Sequence, residues 1–238
     1  MRRFLVLIEC LLKQNRAVNT TILIAADAET VIPVSCVEQG RWTYKTREFK
    51  SEGRVMSSKI RASKADQVRC SLRDSGRFAS DQGAIWGAIQ DLVQGFDVES
   101  PSTAMADVYR KERPALAEYT REFSPIDQQV GGVFVINGRF AGVETFGKPE
   151  TFTKLFRKLV ESYALEAINT GAEDFTASPV SHERVLCFLG GILGCGFESR
   201  PSVGLGIDVR LESIVTTGFA LVHEGQFLHL SAFSSWKF

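Results

Sequence analysis

The sequence predicts an α+β fold: a mixed or antiparallel sheet from N- and C-terminal strands, with a helical middle section. Short runs of branched apolar residues fill the first third. Apolar residues recur at helical spacing through the middle. Strand-like segments separated by glycine turns close the chain. Strands grouped at the two ends argue against an alternating βαβ architecture. The 238 residues fit one α+β domain over 1–238.

Phe4 to Ile8 and Thr21 to Ala25 read as strands. Val31 to Val37 continues the pattern around Pro33, which cannot donate to a ladder, so this strand is expected at an edge or a bulge. Arg41 to Ser58 reads as a polar irregular or edge-strand excursion. Ser80 is placed to cap a helix reaching Gly95, with Ile85, Ile89, Leu92, Val93 and Phe96 on its buried face. A second helix, Thr103 to Phe123, should break near Pro114. Val130 to Ile136 and Arg139 to Phe146 flank Asn137-Gly138, a dipeptide suited to a type I′ hairpin. Phe152, Leu155, Phe156, Leu159, Val160 and Tyr163 form the buried stripe of an amphipathic helix, with Lys154, Arg157, Lys158 and Glu161 outside. Thr170 to Ser178 is a polar loop, and Val180 to Gly194 is apolar almost all round and expected to be a buried helix. Its Gly190-Gly191 pair is expected to allow close packing. Asp208 to Thr216, Phe219 to His223 and Gln226 to Phe233 form a meander.

Lys plus Arg equals Asp plus Glu, at 28 each, which argues against nucleic acid as the main partner. Five cysteines at irregular spacing, without a Cys-x-x-Cys pair, lose the zinc-ribbon and thioredoxin readings and fit reduced thiols in a cytoplasmic protein. Glu9 interrupts the apolar run after Arg2-Arg3, and Lys13 to Arg16 follow it, so a buried strand is expected there rather than a signal peptide. No stretch is long and apolar enough for a membrane span, and the sequence leaves the cofactor unknown.

Chemistry concentrates at Lys13-Gln14-Asn15-Arg16 with Asn19, cationic and amide groups between two apolar strands. Such groups can hold an anion or nucleotide, or they can pin a solvated turn. Cys36 is read as a buried structural residue, because the Glu38 carboxylate on its face disfavours a thiolate. Arg41 either binds phosphate or pairs with Glu38. A two-residue turn at Glu224-Gly225 would pair His223 with Gln226 and His229 with Ala220, on opposite faces, so no metal site is expected. Gly204-Leu205-Gly206 lacks the residues of a phosphate loop.

These motifs resemble a known family. Lys13 to Arg16, Asn19-Thr20-Thr21, Pro33 to Trp42, Ser71-Leu72, Asp81-Gln82, Trp86, Ser162 to Leu165, Ser202 to Gly206, Arg210-Leu211 and His229 to Phe233 are similar to the ARG and Rhodanese-Phosphatase-superfamily-associated domain. The family's name implies association with ADP-ribose or nucleotide metabolism. The resemblance also implies more chain ahead of Lys13, so a shortened member is expected, with an apolar face exposed or covered by a partner protein. Two readings follow. In the first, a phosphorylated, ADP-ribose-type molecule is bound or processed. Lys13, Gln14, Asn15, Arg16, Asn19, Arg41 and Arg210 would bind it, and Glu38 and His229 would supply acid–base groups. In the second, the chain is a non-catalytic interaction module whose polar residues fix its own turns.

Overall fold

The computed structural model describes residues 3–6, 10–12, 16–40, 51–171 and 179–234. The chain opens as strands β1 (Arg3–Val6), β2 (Cys10–Leu12), β3 (Arg16–Val18), β4 (Ile22–Ala25), β5 (Val34–Cys36) and the largely polar β6 (Ser51–Val55), with branched apolar residues concentrated in β1 and β4. β1 pairs with β4, while the others form an antiparallel sheet in the order β5-β3-β2-β6. β5 is an edge strand, as Pro33 just before it suggests.

The sequence reading assigns no element to residues 59–79, yet helix α1 (Ser58–Ser75) occupies most of this stretch. Its apolar Ile60, Ala65, Val68 and Leu72 are interleaved with buried Arg61, Lys64 and Arg69, which dilutes the apolar stripe. Gly76 (φ 68°) ends it, donating its N–H to Leu72 O at 3.0 Å. Helix α2 (Gln82–Gly95) is capped by Asp81 rather than Ser80; the Asp81 carboxylate accepts from Ala84 N at 3.0 Å. The next helix does break before Pro114, into α3 (Met105–Lys111) and α4 (Arg113–Glu122).

β7 (Gly131–Ile136) and β8 (Arg139–Phe146) form the expected hairpin, with positive φ at Asn137 (49°) and Gly138 (72°). Helix α5 (Pro149–Asn169) buries the expected stripe apart from half-buried Phe156. Glu161, expected outside, is buried and held by Arg157 at 3.0 Å. Helix α6 (His182–Leu193) corrects a larger expectation. Among its residues only Ile192 is buried, while Leu186 and Leu193 are 55% and 88% exposed. One helix on a sheet can bury one face, and α6 has no second layer over it among the described residues. Gly190 and Gly191 meet nothing within 4 Å, so they serve no close packing there.

β9 (Gly196–Pro201), β10 (Ile207–Glu212), β11 (Thr216–His223) and β12 (Gln226–Ser234) complete a six-stranded antiparallel sheet in the order β7-β8-β12-β11-β10-β9. Glu224 and Gly225 form the expected two-residue turn at φ 52° and 71°, with His223 opposite Gln226. A bulge between Leu221 and Val222 then shifts the register, so His229 lies opposite Leu221 and not Ala220.

α6 covers one face of this sheet, where Ile192 and Cys195 pack with Val143, Leu211 and Ala232. α1 and α5 cover the other, where Ala65 and Tyr163 pack with Phe219 and Phe233. A larger core joins Ala17 and Val37 of the N-terminal strand region to Met56, Ile85, Met105 and Leu165. The two ends of the chain meet at a Leu23–Leu205 bridge, where Leu205 N donates to Leu23 O at 2.8 Å. Gly204 permits this approach, because a Cβ there would run into Leu23 O. The fold is therefore α+β, with antiparallel sheets from both ends around a helical middle.

Candidate functional site

Register places Glu144, Ser231, Phe219 and Arg210 in one row across β8, β12, β11 and β10. Side chains alternate along a strand, so His229 and Asp208 share that face. It is the face that α1 covers. Charged groups thus stand in the interior, and each needs a partner there.

Arg61 of α1 supplies one, with its guanidinium 2.6 Å from Glu144 Oε1. Tyr163 Oη donates to Glu144 Oε1 at 3.0 Å, and the Ser231 hydroxyl donates to Glu144 Oε2. Burial pushes the Glu144 carboxyl up, but Arg61, then His229 and Ser231, outweigh it and hold it below its ordinary 4.5. His229 stacks on Phe146 at 4.4 Å and shares a 2.8 Å hydrogen bond through Nδ1 with Thr21 Oγ1. Arg210 holds Asp208 with two hydrogen bonds, Nε to Oδ1 at 2.7 Å and Nη2 to Oδ2 at 2.9 Å. Thr20 Oγ1 joins that pair, donating to Asp208 Oδ2 at 2.8 Å and accepting from Arg210 Nη2 at 2.9 Å. Lys64, also fully buried, donates to Val18 O at 2.7 Å. These groups lie between 0% and 3% exposed.

The sequence-predicted residues fall into three sets. Lys13, Gln14, Asn15 and Arg41 lie outside the described residues. Asn19, Arg210 and His229 belong to the interior. Asn19 Oδ1 accepts from Ser35 Oγ at 2.6 Å and its Nδ2 donates to Phe78 O at 3.1 Å, so its amide is engaged within the chain. Glu38 is buried too, accepting from Ser102 Oγ at 2.5 Å near the start of α3. Arg16 differs from all of these. It is half-buried on β3, opposite Cys36, and its side chain has no ion pair or hydrogen bond among the described residues. Cys36, expected to be buried, is half-buried and donates to Glu38 O at 3.2 Å.

Sequence reasoning missed Arg61, Lys64, Glu144 and Asp208 as members of this layer. Glu144 and Asp208 did carry a signal, a carboxylate inside an otherwise strand-like apolar run. Arg61 and Lys64 are three apart on a helix that the apolar pattern did not reveal. Among the described residues no group of three or more His, Cys, Asp or Glu is placed to hold a metal ion. No described helix is long and apolar enough to cross a membrane. A cavity of about 450 Å³ lies between α4, α5 and β7, lined by none of the sequence-predicted site residues.

Fold and site together define an α+β protein whose motif residues knit a buried polar layer between its N-terminal strands, α1 and its C-terminal sheet. The chain belongs to the family of the ARG and Rhodanese-Phosphatase-superfamily-associated Protein domain, whose model matches residues 12–233. That match covers nearly the whole chain and does not show the shortening expected from the sequence. Neither a curated protein nor a solved structure matches.

Proposed function

We propose that this chain is an interaction module, and that its polar motif holds binding surfaces in place rather than reacting with a substrate. One observation carries the reading. The three consecutive residues Asn19, Thr20 and Thr21 reach Ser35, the Asp208–Arg210 pair and His229 respectively. A tripeptide spent on three anchors within the fold has little left to offer a ligand. Removing one partner of a buried ion pair costs about 3–5 kcal/mol, because the other charge stays buried alone. Arg210→Met should therefore lower stability by about that much in urea unfolding, and Arg210→Met with Asp208→Asn by clearly less. Equal losses in the single and double variants would count against the polar layer as a structural device.

Arg16 favours a second reading. A half-buried cation without an ionic partner among the described residues directly follows Lys13-Gln14-Asn15. An anionic, nucleotide-like ligand of the ADP-ribose type would suit that segment. A ligand at a hundred times its Kd stabilises a protein by about 2.7 kcal/mol, enough to raise the melting temperature measurably. A thermal-shift panel of nucleotides and ADP-ribose should then show a rise that Arg16→Ala abolishes. No rise at millimolar concentration removes this reading.

A further inference from the structure

β7 ends the six-stranded sheet, so one of its edges has no strand beside it among the described residues. Backbone groups along a strand point alternately to its two sides. Val130 O accepts from Phe146 N, toward β8, and Gly131 O accepts from the Gln129 side chain, on the outer side, at 2.7 Å. The next outward positions are Val133 and Val135. The extra residue of the irregularity at Phe134/Val135 is Ala141 on β8, so the alternation along β7 continues unbroken. Their outward N–H and C=O groups have no hydrogen-bond partner among the described residues.

Two other edges are guarded. β9, at the far side of the same sheet, carries the Glu198–Arg200 ion pair and ends in Pro201. On β5 the Gln82 amide covers the backbone, accepting from Cys36 N and donating to Cys36 O, both at 2.8 Å. β7 reads Gly-Gly-Val-Phe-Val-Ile, with no charge and no proline. Natural sheets seldom leave such an edge open without a use for it.

The 450 Å³ cavity runs along this edge. It touches every residue from Gly132 to Ile136, and only the edge of a strand presents residues of both faces to one hollow. Phe123 and Tyr119 form one wall, and Phe156 with the stacked Phe134–Tyr163 pair forms another. No charged side chain lines it. Open backbone donors and acceptors beside an uncharged aromatic pocket suit a peptide strand better than a folded surface or a charged metabolite.

We propose that the outer edge of β7 docks one extended, uncharged peptide segment of a partner protein, which adds as a further strand and sets an apolar side chain into the α4–α5 cleft. The inference rests on the interaction-module reading and names the class of partner. The probe is a pooled library of N-acetylated, C-amidated hexapeptides alternating Val, Ile or Phe with Ser or Thr. With the library bound, the Val133 and Val135 amides should exchange hydrogen at least tenfold more slowly. The best binder should lose at least tenfold in affinity when alternate residues of one register are N-methylated, and nothing when the other register is. Val135→Lys, at a position 37% exposed, should weaken binding by a similar factor without changing the melting temperature. Phe123→Ser, on the opposite wall and 55% exposed, provides a second fold-neutral variant with the same expected loss. No binding at millimolar peptide overturns the proposal. Equal binding by both N-methylated series overturns it in favour of a small apolar ligand. A chain that dimerises until Val135→Lys is introduced overturns it in favour of a second copy. Each of these failures leaves the Arg210–Asp208 unfolding measurement, and the reading it tests, untouched.

Discussion

Glu144 has no exposed surface, and its charge survives there because Arg61, Tyr163 and Ser231 all point donors at it. Its folded carboxyl titrates below the ordinary 4.5. A depressed carboxylate adds stability above its unfolded pKa, and that stability fades as pH falls through the folded value. Urea unfolding should therefore show falling stability from about pH 5 downward. Glu144→Gln should be less stable at neutral pH and should flatten that fall; an unchanged slope in the variant would assign the acid sensitivity to other groups. At this scale the sequence was half legible. Asn19, Arg210 and His229 were singled out as ligand-binding or acid–base candidates, and all three lie in the interior. Their partners did not stand out, since Thr21 and His229 are 208 residues apart. Without partners, a polar residue destined for the interior reads the same as one that awaits a ligand.

Elements whose cause is local matched expectation. The Asn137-Gly138 and Glu224-Gly225 turns need positive φ, and Pro114 needs a helix break, whatever surrounds them. Elements whose cause is distant did not. α1 hides its polarity inside, where Arg69 also reaches Glu212 at 2.7 Å, so a rule that places charges outside fails to find it. α6 shows the converse, an apolar helix with one covered face. Glycines divide along the same line. Gly204 lies against Leu23 O, so Gly204→Ala should cost about 1–3 kcal/mol through overpacking. Gly190 is helical with open space around it, so Gly190→Ala should add about 0.5–1 kcal/mol by lowering the entropy of the unfolded chain. Chemical denaturation of the two variants checks both signs, and a shared sign would refute this account of the fold's close approaches.

Across the whole molecule, the polar layer and the Leu23–Leu205 bridge are the points where the N-terminal strand region meets the C-terminal sheet. The damage from Arg210→Met should accordingly be global. Amides of β4 and β12 should exchange faster together in that variant, because Thr20 and Thr21 immediately precede β4 and His229 lies in β12. Faster exchange confined to β10 would place the two regions in separate cooperative units.

By itself the sequence determined the α+β class, the two hairpin turns, the helix break and some of the residues in which polarity is out of place. Those properties depend on backbone preferences and on periodicity within a few residues. Tertiary structure alone decided that Asn19, Glu38, Arg210 and His229 lie in the interior and bond to Ser35, Ser102, Asp208 and Thr21, and that among the described residues α6 keeps an apolar face uncovered and β7 an open edge beside an aromatic cleft. The physical reason is pairing at a distance. Whether a charge is satisfied, or an edge occupied, depends on what the fold brings alongside it from the far end of the chain.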